Sequence, residues 1–130
     1  MTSSLRVPWT MEPNAGAFPE PLHTALERHG ETIVVVASGE IDLSSADRLQ
    51  AQLRALLSTV GRVVLDLRHV DFIDLSALRC MLAVDKASRH SGVEFLLVPG
   101  PQRVQRLFEL TGSEDALRFI EPSRIDRGRM

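Results

Sequence analysis

The chain has a single cysteine, Cys80, so no internal disulfide can form. Its four histidines, His23, His29, His69 and His90, are scattered and with that cysteine show no close metal-ligand spacing. No metal or other cofactor is expected. Long apolar runs are missing as well. The longest strongly apolar stretch covers only residues 33–37, against the roughly 20 residues that cross a bilayer as a helix. The N-terminus, Met-Thr-Ser-Ser-Leu-Arg-Val-Pro-Trp-Thr, lacks the continuous apolar core of a secretory signal, so a cytoplasmic location without membrane insertion is expected. Nor does charge of one sign accumulate. Fifteen Lys and Arg are spread among seventeen Asp and Glu, for a formal net charge of −2. A nucleic-acid binder needs a clustered basic surface to displace counterions from phosphates, so nucleic acid is not expected as a partner.

Catalytic signatures are equally sparse. Neither the P-loop pattern nor G-x-G-x-x-G spacing is present, which sets aside those classes of nucleotide binding. No nucleophile can be named with a base and an orienting third group, so an enzyme is not expected. Cys80, among Leu78, Met81 and Leu82, reads as a buried, inert thiol, and the histidines read as solvated single residues.

What is present suits one soluble α/β domain. At 130 residues, 44% hydrophobic and 25% charged, the chain is long enough to bury one core and too short for two. Pro8, Pro13, Pro19 and Pro21 interrupt regular hydrogen bonding, so residues 1–20 are expected to form a flexible arm, in which Trp9 and Phe18 are the apolar groups able to dock transiently. The domain is expected over 21–121 and a flexible tail over 122–130.

Residues 22–28 and the β-branched run 32–38 form a hairpin around Gly30-Glu31. Ser44-Ser-Ala-Asp47 has capping-box spacing and precedes Leu49, Leu53, Leu56 and Leu57, which predicts a helix over about 45–58. A buried strand follows over 62–67. Asp74 caps a second helix that starts near Leu75 or Ser76, carries Leu78, Met81, Leu82 and Ala83 inward and ends near Ser91-Gly92. A strand over 93–98, a third helix after Pro99-Gly100-Pro101 with Val104, Leu107, Phe108 and Leu110 on one side, and a short edge strand over 117–120 complete the order. Strands alternating with helices imply right-handed crossovers and a mixed, largely parallel sheet of four to five strands.

Acid and hydroxyl recur at two places, Gly39-Glu40-Ile41-Asp42-Leu43-Ser44 and Asp71-Phe72-Ile73-Asp74-Leu75-Ser76, each before a helix. Helix capping accounts for both without any function. Placed side by side at one sheet end, they also make a compact polar surface whose helix N-termini favour added negative charge, a docking and modification site.

At these residues the sequence resembles the STAS domain, the family of sulphate transporter and anti-sigma factor antagonist domains, over about 22–121. Gly39-Glu40-Ile41-Asp42 resembles the family's Gly-Glu-Leu/Ile-Asp signature. Val63 to Leu67 and on through Val70 to Asp74 resembles its central strand and loop, and Arg103 to Phe108 with Thr111-Gly112 its third helix. The resemblance implies a small sheet with helices mainly on one face. It also implies a partner-switching role, in which the domain binds an anti-sigma factor of the serine kinase type and so regulates sigma-factor-dependent transcription in a bacterium. The implied partner-binding residues are Asp42, Ser44, Asp74, Leu75, Ser76 and Ala77. The family's loop reads Asp-Ser-Ser/Thr-Gly-Leu, whereas this chain reads Asp74-Leu75-Ser76-Ala77-Leu78. Leu75 therefore occupies the usual phosphoacceptor position, with Ser76 as the adjacent hydroxyl that can take its place. Two alternatives stand beside this reading: a STAS subunit of a lipid-transport ABC assembly, in which the acceptor is not needed, and a small-ligand sensor using the polar loops. The motifs leave the oligomeric state open.

Overall fold

A computed structural model describes residues 21–125. The expected arm over 1–20 and the end of the expected tail, 126–130, lie outside the described residues.

The elements run β1 (His23–His29), β2 (Thr32–Ile41), α1 (Leu43–Leu56), β3 (Arg62–Ile73), α2 (Leu75–Ser91), β4 (Glu94–Val98) and α3 (Gln102–Thr111), followed by short 3₁₀ turns at Ser113–Asp115 and Pro122–Arg124. The sheet order is β1-β2-β3-β4. β1 pairs with β2 antiparallel, and β2, β3 and β4 are parallel. The mixed, largely parallel α/β sheet is therefore as expected, with four strands. The fifth strand expected over 117–120 is a single parallel bridge, Leu97 to Phe119, because the chain leaves the β4 edge at once.

Alternation in the central strands sorts the core into two layers. Val35, Leu65 and Leu97 face α1, α2 and α3, whose Leu49, Leu53, Met81, Val84, Val104 and Phe108 close over them. All three helices thus lie on one face, and each such Leu or Phe contributes roughly 1.5–3 kcal/mol by leaving water. On the other face Val34, Val64, Leu96 and Val98 are joined by Ile120 and Ile125. Arg62 donates through Nη1 to the Ile125 carbonyl at 2.6 Å, so the start of the segment expected as a tail is tied to the sheet.

Several boundaries differ from the sequence reading. β3 continues to Ile73 rather than stopping at residue 67, since its pairing with β2 persists as far as Ile41 and Ile73. α1 begins at Leu43, because its cap is Asp42 with Ser45 as the reciprocal partner, not Ser44 with Asp47. Leu110, expected inward, is 71% exposed. Six residues at about 100° each place it about 240° around the helix from Val104, off the buried stripe.

Candidate functional site

Two strand ends position the site. Near its C-terminus β2 shifts register against β3 between Val36 and Ser38 and again between Gly39 and Glu40. Gly39 takes φ 90, a backbone state that glycine adopts without a Cβ clash. These irregularities re-aim the last residues, so that Glu40 pairs with Phe72 and Ile41 with Ile73. The Asp74 N–H then donates to the Ile41 carbonyl at 3.3 Å, which holds the starts of α1 and α2 side by side.

Each start is built on the same four residues. The tetrapeptide Ile-Asp-Leu-Ser occurs at 41–44 and again at 73–76. In both copies the isoleucine ends a strand and is buried, the aspartate is the helix N-cap, and the leucine and serine are the first two helical residues. Asp42 accepts from the Ser44 N–H at 3.0 Å and the Ser44 hydroxyl at 2.7 Å, while its own N–H donates to Ser45 Oγ at 3.1 Å. Asp74 accepts from the Ala77 N–H at 3.1 Å. Such caps satisfy orphan helix N–H groups and are typically worth about 1 kcal/mol each.

The Ser44 hydroxyl bond holds the Asp42 carboxyl below the ordinary carboxylate range, against the smaller opposing effect of burial. A depressed folded value means a stability contribution present above the unfolded value of about 3.9 and lost as pH falls through the folded one. Asp42 is thus a carboxylate at neutral pH.

The structure brings all six residues singled out in the sequence to this sheet end and separates their exposure. Ser44 and Leu75 are exposed, Asp42, Asp74 and Ser76 are half-buried, and Ala77 is fully buried, so Ala77 supports the surface from behind through its amide. The Ser76 hydroxyl has no hydrogen-bond partner among the described residues, whereas Ser44 Oγ is engaged by Asp42. Two residues that the sequence reading missed complete the surface: Leu43, 78% exposed, and Phe72, 47% exposed, beside Leu75 at 53%. The doubled tetrapeptide was the available signal for Leu43. Arg103 braces the edge, donating through Nε to the Asp71 carbonyl at 2.7 Å.

A recess at the α1 start, between Pro21, Glu40, Asp42, Ser44 and Arg48, holds about 250 Å³. That is below the ~300–1,000 Å³ of sites that enclose small ligands. Leu43, Phe72 and Leu75, exposed beside the Asp42 and Asp74 carboxylates, suit a protein face.

The sequence pattern of the STAS domain matches residues 23–124. This chain belongs to the STAS domain family. Among its relatives, the anti-sigma-B factor antagonist of Listeria monocytogenes is 30% identical over 92 residues, which cover 70% of this STAS domain chain and 81% of that protein. The crystal structure of an anti-sigma factor antagonist from Mycobacterium paratuberculosis superposes with a TM-score of 0.69 at 26% identity, covering 78% of this chain and 86% of the other. SpoIIAA of Bacillus, an anti-sigma factor antagonist, matches in its unphosphorylated form with a TM-score of 0.70 over 82% of this chain and 96% of its own. At 19% identity that last likeness speaks to the STAS fold alone. No helix among the described residues is long and apolar enough to cross a membrane.

Proposed function

We propose that this STAS domain is a cytoplasmic anti-sigma factor antagonist, a binding module that engages a serine-kinase-type anti-sigma factor through the paired helix starts. The observation that carries the reading is the juxtaposition of two Ile-Asp-Leu-Ser segments, with Leu43, Phe72 and Leu75 exposed beside the Asp42 and Asp74 caps. The leucines supply apolar contact area. Asp42, Ser44 and Asp74 supply charge and hydrogen bonds around it, and Ala77 holds the turn beneath.

The off-switch arises from the same geometry. Leu75 stands where the family's acceptor hydroxyl is found and cannot carry phosphate. Ser76, one residue on, has the unengaged hydroxyl at the N-terminus of α2. A phosphate there gains from the helix dipole, yet puts about −1.5 to −2 charge and a strongly hydrated group beside Asp74 and the exposed leucines, where closing the contact would have to desolvate it. Ser76 is therefore the acceptor in this reading.

The test is binding of the full chain to its co-purifying anti-sigma factor, measured with Asp42→Lys and after incubation with Mg-ATP. Reversal of the Asp42 charge is expected to weaken binding at least tenfold, about 1.4 kcal/mol, and mass spectrometry should find phosphate on Ser76. Unchanged affinity for Asp42→Lys would remove this face from the interface. Capture of an ABC ATPase and permease instead of an anti-sigma factor would overturn the assignment.

A further inference from the structure

The far ends of α1 and α2 enclose a second surface, unrelated to the helix starts. A groove of about 630 Å³ runs between them, floored by Leu57, Ala83 and Ala87 and edged by Arg54, Lys86 and His90. Its volume lies within the ~300–1,000 Å³ range of small-ligand sites. Ala83 and Ala87 are one helical turn apart, so their short side chains leave a continuous depression on α2.

The rim is cationic without compensation. No carboxylate lines the groove, and none of Arg54, Lys86 or His90 is in an ion pair or hydrogen bond among the described residues. Basic side chains near helix C-termini commonly serve the exposed carbonyls there. Here several of those carbonyls are taken by other groups. Ser58 Oγ donates to the Ala55 carbonyl at 2.9 Å, Thr59 Oγ1 to Leu56 at 2.9 Å, and Ser91 Oγ to Ser88 at 3.3 Å. The neighbouring Arg89 is held by Asp85 at 2.7 Å, outside the groove lining. Arg54 and Lys86 are left as free cations beside an apolar floor.

The length of the groove selects its occupant. The α2 wall from Ala83 to Ser91 extends about 12 Å at 1.5 Å per residue, and the α1 wall from Arg54 to Ser58 about 6 Å. That is too short to cradle several turns of a partner helix and long enough for a medium-length alkyl chain. We propose that this groove binds a free single-chain anionic amphiphile, a medium-chain carboxylate, with its head group at Arg54 and Lys86 and its chain over Leu57, Ala83 and Ala87.

The experiment is a titration of the full ¹⁵N-labelled chain with decanoate below its micelle-forming concentration, with decyltrimethylammonium as the cation of equal chain length. Saturable amide shifts are expected at residues 54–58 and 83–91, with the helix starts unmoved. The double variant Arg54→Gln, Lys86→Gln alters exposed side chains only and should weaken binding at least tenfold. Ala87→Leu, which fills the floor, should weaken it with the cations intact. Absence of saturable shifts, equal response to the cationic amphiphile, or binding only to vesicles of anionic phospholipid would each overturn the proposal.

Discussion

Replacing Arg68 with alanine probes the one strongly buried carboxylate of the central strand. Asp66 is 1% exposed, and its Oδ1 and Oδ2 accept from Arg68 Nε at 3.0 Å and Nη2 at 2.7 Å, with a further bond from the Arg68 N–H at 3.0 Å. Burial acting alone would raise the Asp66 carboxyl, yet the Arg68 hydrogen bonds and charge outweigh it and hold it below the usual range. Breaking a fully buried pair costs ~3–5 kcal/mol, but the Arg68 side chain is 46% exposed and partly screened, so about 2 kcal/mol is expected at pH 7. In a domain of this size that lowers the thermal midpoint by about 8 °C.

The sign with pH is specific. In the parent the Asp66 contribution is present above about pH 3.9 and lost as pH falls through the depressed folded value. In Arg68→Ala, desolvation is no longer opposed by the guanidinium, the carboxyl rises, and the variant loses stability as pH climbs through that raised value. Urea unfolding followed by far-UV circular dichroism at pH 3.5, 5 and 7 should therefore show a gap between the two proteins that widens with pH. A gap of the same size at all three values, or one below about 0.5 kcal/mol at pH 7, would refute the reasoning. The double variant Asp66→Asn, Arg68→Ala should remove most of the pH dependence.

Two other perturbations rest on packing. Burial pushes the Cys80 thiol up to about 12, so the native protein should resist a thiol reagent at pH 8 and react fully in denaturant; fast labelling of the folded chain would contradict its buried position. A Cβ at Gly100 would lie 2.8 Å from the Leu67 carbonyl oxygen, which is backbone and cannot swing away, so Gly100→Ala should cost about 1–3 kcal/mol in urea unfolding, and a neutral result would mean that the β3–β4 end yields easily.

The strands and helices were legible in the sequence wherever one period dominated. Val-Val-Leu at 63–65 marks a strand buried on both faces, and the Leu49, Leu53, Leu57 spacing marks the buried face of a helix. The second half of β3 was hidden because Arg68, His69 and Asp71 interrupt its apolar pattern, although backbone pairing with β2 continues through them. Asp74 was legible as a cap from its place before an apolar periodic run. Asp42 was not, since Ser44 and Asp47 offered an equally good capping-box spacing two residues later, and only the path of β2 selects between them. The buried Asp66 could be anticipated from one detail: residues two apart on a strand share a face, which puts Arg68 beside it. The α1–α2 groove had no such signal, because Arg54 and Lys86 meet only through helix packing.

The doubled Ile-Asp-Leu-Ser segment also bears on how any modifying enzyme tells one serine from the other. Along an unfolded chain, Ser44 and Ser76 end the same four letters and are told apart only by their flanking residues. Folding breaks that equivalence, since Ser44 spends its hydroxyl proton on its own cap and Ser76 does not. A kinase that meets the finished domain encounters one free acceptor, while one that meets the nascent chain encounters two. The ratio of phosphate on the two serines would then record whether the mark was written before or after the chain folded.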